Sequence, residues 1–306
     1  MTPTLANNLR VKAELIEVGC ALEAQGVQYA VLKGVPLVLA LYDQLDARWI
    51  GDNDLLVRSD AQAAAIEVLH GLGYQSPRDP QVALRYDGRA TFRRTGVNGD
   101  SIVDLHCKAF DPLLFAVSDE RVWQHLQPMD LGGNTVHMLD RPLTVLHQAA
   151  HCAQHAMMEP RALRDFARAW NEWGGQFELP AFERMARECG VHDAFLFGLW
   201  VADDLGMLLR PAPDWTAPRA KLLRRVLSTR QLFKPTDALP YLRLAAMGVL
   251  LSGAQQRHFI RSYLFPPAEK LDAIYKGGPR WGRYAFRLAR PLMRLASRRF
   301  RVHTER

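Results

Sequence analysis

Apolar positions at Leu9, Ala13, Ile16 and Cys20, with polar residues between them, carry the period of a helix over residues 8–25. Gly26 closes it, and the β-rich run VQYAVLK (27–33) predicts a short strand. After Gly34, VPLVLALYDQL returns to helical composition. DLLV (54–57) predicts a second strand, and Ser59 or Asp60 can cap the helix AQAAAIEVLHGLG that follows. Two dipeptides at hairpin spacing come next: Asp87-Gly88 between VALRY and ATFRR, and Asn98-Gly99 between TFRRTGV and SIVDLHC. Both favour the left-handed backbone angles of tight turns. A third hairpin signal, LGGNTVHML, ends this region near Leu139. The pattern predicts a small sheet of four or five strands with helices between them.

From Pro142 onward the strand signals fade. LTVLHQAAHCAQHAM, ALRDFARAWNEW, LPAFERMARECG, VHDAFLFGLWVADDLGMLL and RAKLLRRVL all repeat on the helical period, and the proline-containing LLRPAPDWTAPRA reads as a loop. The expected class is α+β: a mixed sheet with flanking helices, then a mostly helical C-terminal part. The expected organisation is an α/β domain over 1–140, a helical domain over 141–278 and a basic amphipathic tail over 279–306.

Composition narrows this picture. The chain has 306 residues, 48% hydrophobic and 23% charged, which suits a folded protein with a sizeable core. The N-terminal stretch lacks the apolar segment of a signal peptide, and LAAMGVLLSGAQQ (244–256) is too short and polar to span a bilayer. Four cysteines without paired spacing fit free thiols in a reducing cytoplasm. The net charge of +7 resides in the tail, where Arg280 to Arg306 hold nine arginines and one acid, Glu305. Charge therefore characterises the tail and not the body.

The candidate chemistry begins at DARWIGDNDLLVRSD (46–60). Asp52 and Asp54 are two apart, so in a strand they share a face, about 7 Å apart along the chain. Ionised carboxylates so placed raise each other's pKa. A divalent cation removes the repulsion, and Mg²⁺ is commonly held by one or two carboxylates plus substrate phosphates. A third acid, Asp104 in SIVDLHC, sits inside a predicted strand, where aspartate is depleted. Three carboxylates on adjacent strands suit metal-assisted phosphoryl displacement. The bland alternative is that Asp52 caps a turn and Asp54 begins a strand. His106 shares the face of Asp104.

The order VLKG (31–34), RWIGDNDLLV (48–57) and VDLH (103–106) resembles the uncharacterised nucleotidyltransferase family of the DNA polymerase β-like superfamily. The helical stretch LHQAAHCAQH…RALRDFARAW (146–170) is similar to that family's helical half, with its histidine pair and later aspartate, so the resemblance runs over roughly residues 10–275. It implies a polymerase β-like sheet and a two-metal site, using Mg²⁺ or Mn²⁺, that transfers a nucleoside monophosphate from an NTP such as ATP to an acceptor hydroxyl on a small molecule or a protein. Asp52, Asp54 and Asp104 would be the metal and catalytic carboxylates, with Asp104 also deprotonating or orienting the attacking group. Lys33-Gly34 occupies the place of the superfamily's glycine-serine turn, but Val35 follows the glycine where a serine is usual. Lys33 and Arg48 are the substitute phosphate cations, with Gly34 and Gly51 in the nucleotide-binding loops.

His147, His151 and His155 recur every four residues on one predicted helix. Such a stripe can ligate a metal. Alternatively, His151 and His155 face a cleft between the two halves, where neutral imidazoles hold nucleotide or acceptor and Asp165 orients one of them. The tail sets Arg283, Arg287, Arg290, Arg294 and Arg298 on one stripe opposite Trp281, Tyr284, Leu288, Leu292 and Leu295. It reads as a docked terminal helix or as a contact for a membrane surface or polyanion. Nothing matches an RNA- or DNA-recognition motif. Two rivals to catalysis therefore stand: a degenerate member that binds nucleotide or peptide without turnover, and a membrane- or polyanion-binding protein acting through the tail.

Overall fold

A computed structural model describes residues 1–96, 99–155, 157, 159–233, 248–274, 279 and 281–285. The first helix, α1 (Pro3–Ala24), starts earlier than the apolar period suggests. Thr2 caps it by accepting from the Leu5 N–H at 3.1 Å, and Pro3 brings a preset φ to the first turn. Then follow β1 (Tyr29–Val31), α2 (Val35–Tyr42), β2 (Asn53–Val57), α3 (Gln62–Gly71), α4 (Pro80–Asp87), β3 (Arg89–Gly96), β4 (Gly99–His106), α5 (Asp119–Gln124), β5 (Leu126–Asp130) and β6 (Thr135–Leu139). The strands form one six-stranded mixed sheet in the order β3-β4-β2-β1-β6-β5. The pairs β2/β4 and β1/β6 are parallel; β1/β2, β3/β4 and β5/β6 are antiparallel.

Three local expectations give way. Asp87-Gly88 is not a hairpin. VALRY lies in α4, which opens with Asp79 accepting from the Gln81 and Val82 N–H groups, Pro80 behind it, and closes on Gly88 in the left-handed region (φ 70°). A cap before and a positive-φ glycine after are helix-end signals, and they outweigh a dipeptide that serves either structure. Neither Ser59 nor Asp60 caps α3; its N-cap is Ala61, with no side-chain bond. The sheet has six strands because LQPMD forms the outermost one, where Pro128 costs no interior ladder bond. The second hairpin stands: β3 and β4 pair out to Gly96 and Gly99.

Alternation along the strands sends apolar side chains to two covers. Val31, Leu55, Val57, Phe92, Val103 and Leu105 pack on Leu15, Val18 and Leu22 of α1 and Leu69 of α3. Ala30, Leu32 and Leu56 face the other way, into a cluster with Leu143, Leu146 and Ala150 of α6 (Arg141–Gln154). That cluster continues through α7 (Pro160–Trp173), α8 (Leu179–Glu188) and α9 (His192–Asp204), where Trp170, Phe182 and Phe195 meet ring to ring at 5.3–6.2 Å. One apolar core thus runs across residue 140. The loop expected over 208–220 ends earlier, at Ala217, where α10 (Pro218–Val226) begins; α11 (Thr229–Leu232) follows, and two more helices span Gly253–Leu264 and Ala268–Ile274. No described helix is long and apolar enough to cross a membrane. Of the tail stripe, Arg283 pairs with Asp272; Arg287, Arg290, Arg294 and Arg298 lie outside the described residues.

The loop from α2 to β2 bears Arg48, Gly51 and Asp52, and buried α1 asparagines fasten it. Asn8 Nδ2 donates to the carbonyls of Leu45 (2.6 Å) and Arg48 (2.7 Å), while Asn8 Oδ1 accepts from the Ile50 N–H (3.0 Å). Asn7 Nδ2 donates to the Ile50 carbonyl at 2.7 Å. Asn8 is fully buried, so removing its amide orphans three backbone groups together. Asn8→Ala is expected to lower stability by about 3 kcal/mol, read as a lower urea midpoint at unchanged slope. A midpoint equal to wild type would mean that this loop is held by something else.

Candidate active site

The parallel register of β2 and β4 sets Asp54 directly opposite Asp104 and Leu56 opposite His106. All four point to the sheet face covered by α6, because residues two apart share a face. Asp54 is 2% exposed. Its Oδ1 accepts from Lys33 Nζ at 3.2 Å and lies 3.0 Å from His106 Nε2. Asp104 Oδ1 accepts from the Thr91 hydroxyl of β3 at 2.5 Å. Ligand atoms of Asp54, Asp104 and His106 all lie within 4.8 Å of one another, the one such metal-compatible cluster among the described residues. The histidine stripe forms no comparable cluster there.

Asp52 stands just before β2, partly buried in the same cleft. Burial, with the charges of Asp54 and Asp104 beside it, pushes its carboxyl up to about 6. Burial would lift Asp54 as well, but the Lys33 ammonium and the His106 ring outweigh it and hold that carboxyl well below the usual range. The two aspartates thus part company: Lys33 and His106 outweigh burial at Asp54, whereas at Asp52 burial and the neighbouring acids outweigh the same two groups.

Lys33 follows β1, and Gly34 turns the chain into α2 with φ 74°. A Cβ there would sit 3.3 Å from the Asp52 carbonyl oxygen, so the position requires glycine both for its backbone angle and for the close approach. Gly51, by contrast, faces open space. In the DND stretch the middle residue points away: Asn53 Nδ2 donates to the Val11 carbonyl at 3.1 Å and ties β2 to α1.

A cleft of about 360 Å³ opens over this face, lined by Lys33, Gly34, Arg48, Gly51, Asp52, Asp54, Asp104, His151 and His155 among others. A second cavity of about 190 Å³ adjoins it and shares Lys33, Arg89, His151 and His155. It is walled by His106, Lys108, Phe110 and His147. Lys33, Gly34, Arg48, Gly51, Asp52, Asp54, Asp104, His151 and His155 therefore line one cleft and His106 the cavity beside it, while the metal-compatible cluster takes in His106 and leaves Asp52 outside. The histidines differ in depth. Burial, then Lys33, pulls His147 down to about 3, and His151 falls well below the usual range for the same causes, so both are neutral near pH 7. His155 caps α6, its ring 4.9 Å from that of His151.

Two expectations change. Arg48 is no free phosphate cation: its guanidinium pairs with Asp165 at 2.8 Å and donates to the Trp49 carbonyl at 3.1 Å. Its Nε is buried and without a partner among the described residues. Asp165 spends its oxygens on Arg48 and on the Tyr42 hydroxyl (2.7 Å), joining the loop to α7 across the cleft instead of orienting a histidine. Sequence reasoning also passed over Asn8, Thr91, Arg89 and Gln148. Gln148 is buried, lines the cleft and leaves Nε2 without a partner among the described residues. No spacing signal marked it: at about 100° per residue it lies on the side of the helix away from Leu143, Leu146, Ala150 and Ala153.

Carboxylates on neighbouring strands, a glycine turn beside them and a cleft above thus meet in one place. The family model for an uncharacterised nucleotidyltransferase matches residues 3–206, and the chain belongs to that family. Its general chemistry is accordingly nucleotidyl transfer, with a nucleotide as substrate. The chain is also similar to a solved structure, an antigenic nucleotidyltransferase-like protein from Paracoccidioides brasiliensis, at 13% identity and a TM-score of 0.35, covering 60% of this chain and 91% of that one. No curated protein matches the chain.

A carboxyl whose folded pKa exceeds its unfolded value binds its proton more tightly in the folded state. Its stabilising contribution is present at low pH and disappears as pH rises through the interval from about 4 to about 6. In metal-free buffer, unfolding free energies of wild type and Asp52→Asn should diverge by about 2 kcal/mol between pH 4 and pH 8, the variant being the more stable at pH 8. Parallel pH curves would show that Asp52 carries no such penalty.

Proposed function

We propose that the protein is a Mg²⁺-dependent nucleotidyltransferase, Mn²⁺ substituting, that moves a nucleoside monophosphate from an NTP to an acceptor hydroxyl. The observation that carries this reading is the in-register Asp54–Asp104 pair on one buried sheet face, with Asp52 leading into it. The donor set fits a hard divalent cation: carboxylate oxygens predominate, and Asp52 bears negative charge that no protein cation in the cleft fully offsets. Asp52, Asp54 and Asp104 would hold the ion, with His106 beside Asp54. When bound, such an ion neutralises phosphate charge as it develops in transfer.

The chain's own groups supply the rest. Lys33 reaches between the two cavities and can exchange its bond to Asp54 for a phosphate oxygen. Gln148 offers an unused donor in the larger cleft. The acceptor hydroxyl, approaching from the smaller cavity past neutral His147 and His151, gives its proton to Asp104. Its oxygen bonds to the α-phosphorus as the bond to the bridging oxygen breaks, and pyrophosphate leaves. The rival reading, nucleotide binding without turnover, draws on the Lys33–Asp54 pair, which already compensates one expected ligand.

Calorimetry of the four NTPs with Mg²⁺ should give binding by wild type that Asp52→Ala/Asp54→Ala loses. Asp104→Asn should keep binding yet lower transfer of an α-³²P label to an acceptor extract by about a hundredfold or more. Undiminished transfer by Asp104→Asn would remove it as the base. Binding without any label transfer by wild type would favour the rival.

A further inference from the structure

Trp49 has no structural task that accounts for it. Its side chain is 45% exposed and belongs to neither apolar cluster. Of the exposed large apolar side chains among the described residues, it is the one that lines the carboxylate cleft. Scattered surface hydrophobics are common and by themselves mean nothing. The backbone around Trp49 is what sets it apart.

Both flanking residues are anchored by the same buried side chain. Asn8 donates to the Arg48 carbonyl at 2.7 Å and accepts from the Ile50 N–H at 3.0 Å. The Ile50 side chain is itself buried, and Arg48 fastens to Asp165 and to the Trp49 carbonyl. The indole is thus carried on a segment that cannot shift without breaking buried hydrogen bonds, yet the residue stays exposed where it lines the cleft. An aromatic face fixed in advance loses little freedom when a flat ligand settles on it.

Trp49 is three residues from Asp52, a separation of at most about 10 Å of extended chain. That is the scale between the phosphates of a nucleotide and its base. We propose that Trp49 is the platform on which the nucleobase of the bound nucleoside triphosphate stacks. This deepens the nucleotidyl-transfer reading and rests on it. Every base has a π-face, so stacking grips all four bases alike. Selection among bases must then come from polar groups elsewhere in the cleft.

The test separates base from phosphates. Wild type, Trp49→Leu and Trp49→Phe are titrated calorimetrically, with Mg²⁺, against each NTP and against inorganic triphosphate, which has no base. Trp49→Leu should weaken all four NTPs about tenfold and leave triphosphate binding unchanged, and Trp49→Phe should recover most of the loss. Equal NTP affinities for wild type and Trp49→Leu overturn the platform alone. So does a parallel loss of triphosphate binding, which would mean that the substitution disturbs the carboxylates. Failure of wild type to bind either ligand overturns the platform together with the nucleotide reading of the cleft.

Discussion

Two carboxylates face each other across a pair of hydrogen-bonded strands at the floor of the cleft, and the rest of this site is organised around that repulsion. The parallel register leaves Asp54 and Asp104 no freedom to part. Their charge is met by side chains drawn from every neighbouring strand. Lys33 comes from the end of β1, His106 from two positions along β4 and Thr91 from β3. Such an arrangement costs stability in the absence of ligand, since one group, Asp52, remains pushed up to about 6 by burial and its acidic neighbours. Sites that bind cations commonly store this kind of penalty, because the ion relieves it on arrival.

The second demand is that the cleft keep its width. One apolar cluster includes Leu56 and Ala30 of the sheet together with α6 to α9, so separating the halves would expose a large contiguous core. Across the open side, Arg48, Asp165 and Tyr42 form a polar strut between the loop before β2 and α7. Arg168 adds a bond from its Nε to the Leu41 carbonyl at 2.6 Å and lies over the Tyr42 ring. Asp165 stays partnered on both oxygens although burial pushes its carboxyl up, the expected state of an acid that works by position. The two sides of the cleft are therefore joined both through a shared core and across its open side.

Much of this was legible in the residues. An aspartate within IVDL has no packing reason to be there, and the pattern around it marks β4. The Asn98-Gly99 signal likewise identified the β3–β4 hairpin that sets the register. The misreadings share a physical cause: short-range signals have more than one solution. Asp87-Gly88 supplies a left-handed residue, which ends a helix as readily as it turns a hairpin, and only Asp79-Pro80, eight residues upstream, decides between them. LQPMD is too polar and carries too much proline to announce a strand; its place at the sheet edge makes it one. Arg48 illustrates a deeper limit. Its residue type fits phosphate or carboxylate equally, and the partner that claims it lies 117 positions away, on α7.

The departure from the glycine-serine turn follows the same logic. Gly34 is dictated by backbone angle and by the Asp52 carbonyl, demands that persist whatever residue comes next. Val35 is buried in the sheet-side cluster with Val31 and Val38, so the position after the glycine is given to packing. Lys33, one residue before the glycine, lines both cavities, and in the function proposed above it would meet phosphate with a full charge. A point charge tolerates variation in phosphate geometry better than a directed hydroxyl does, and it acts over a longer range. It must also be kept from collapsing onto the carboxylates for good, and a single bond to Asp54 at 3.2 Å, longer than an ideal charged contact, holds it close but exchangeable.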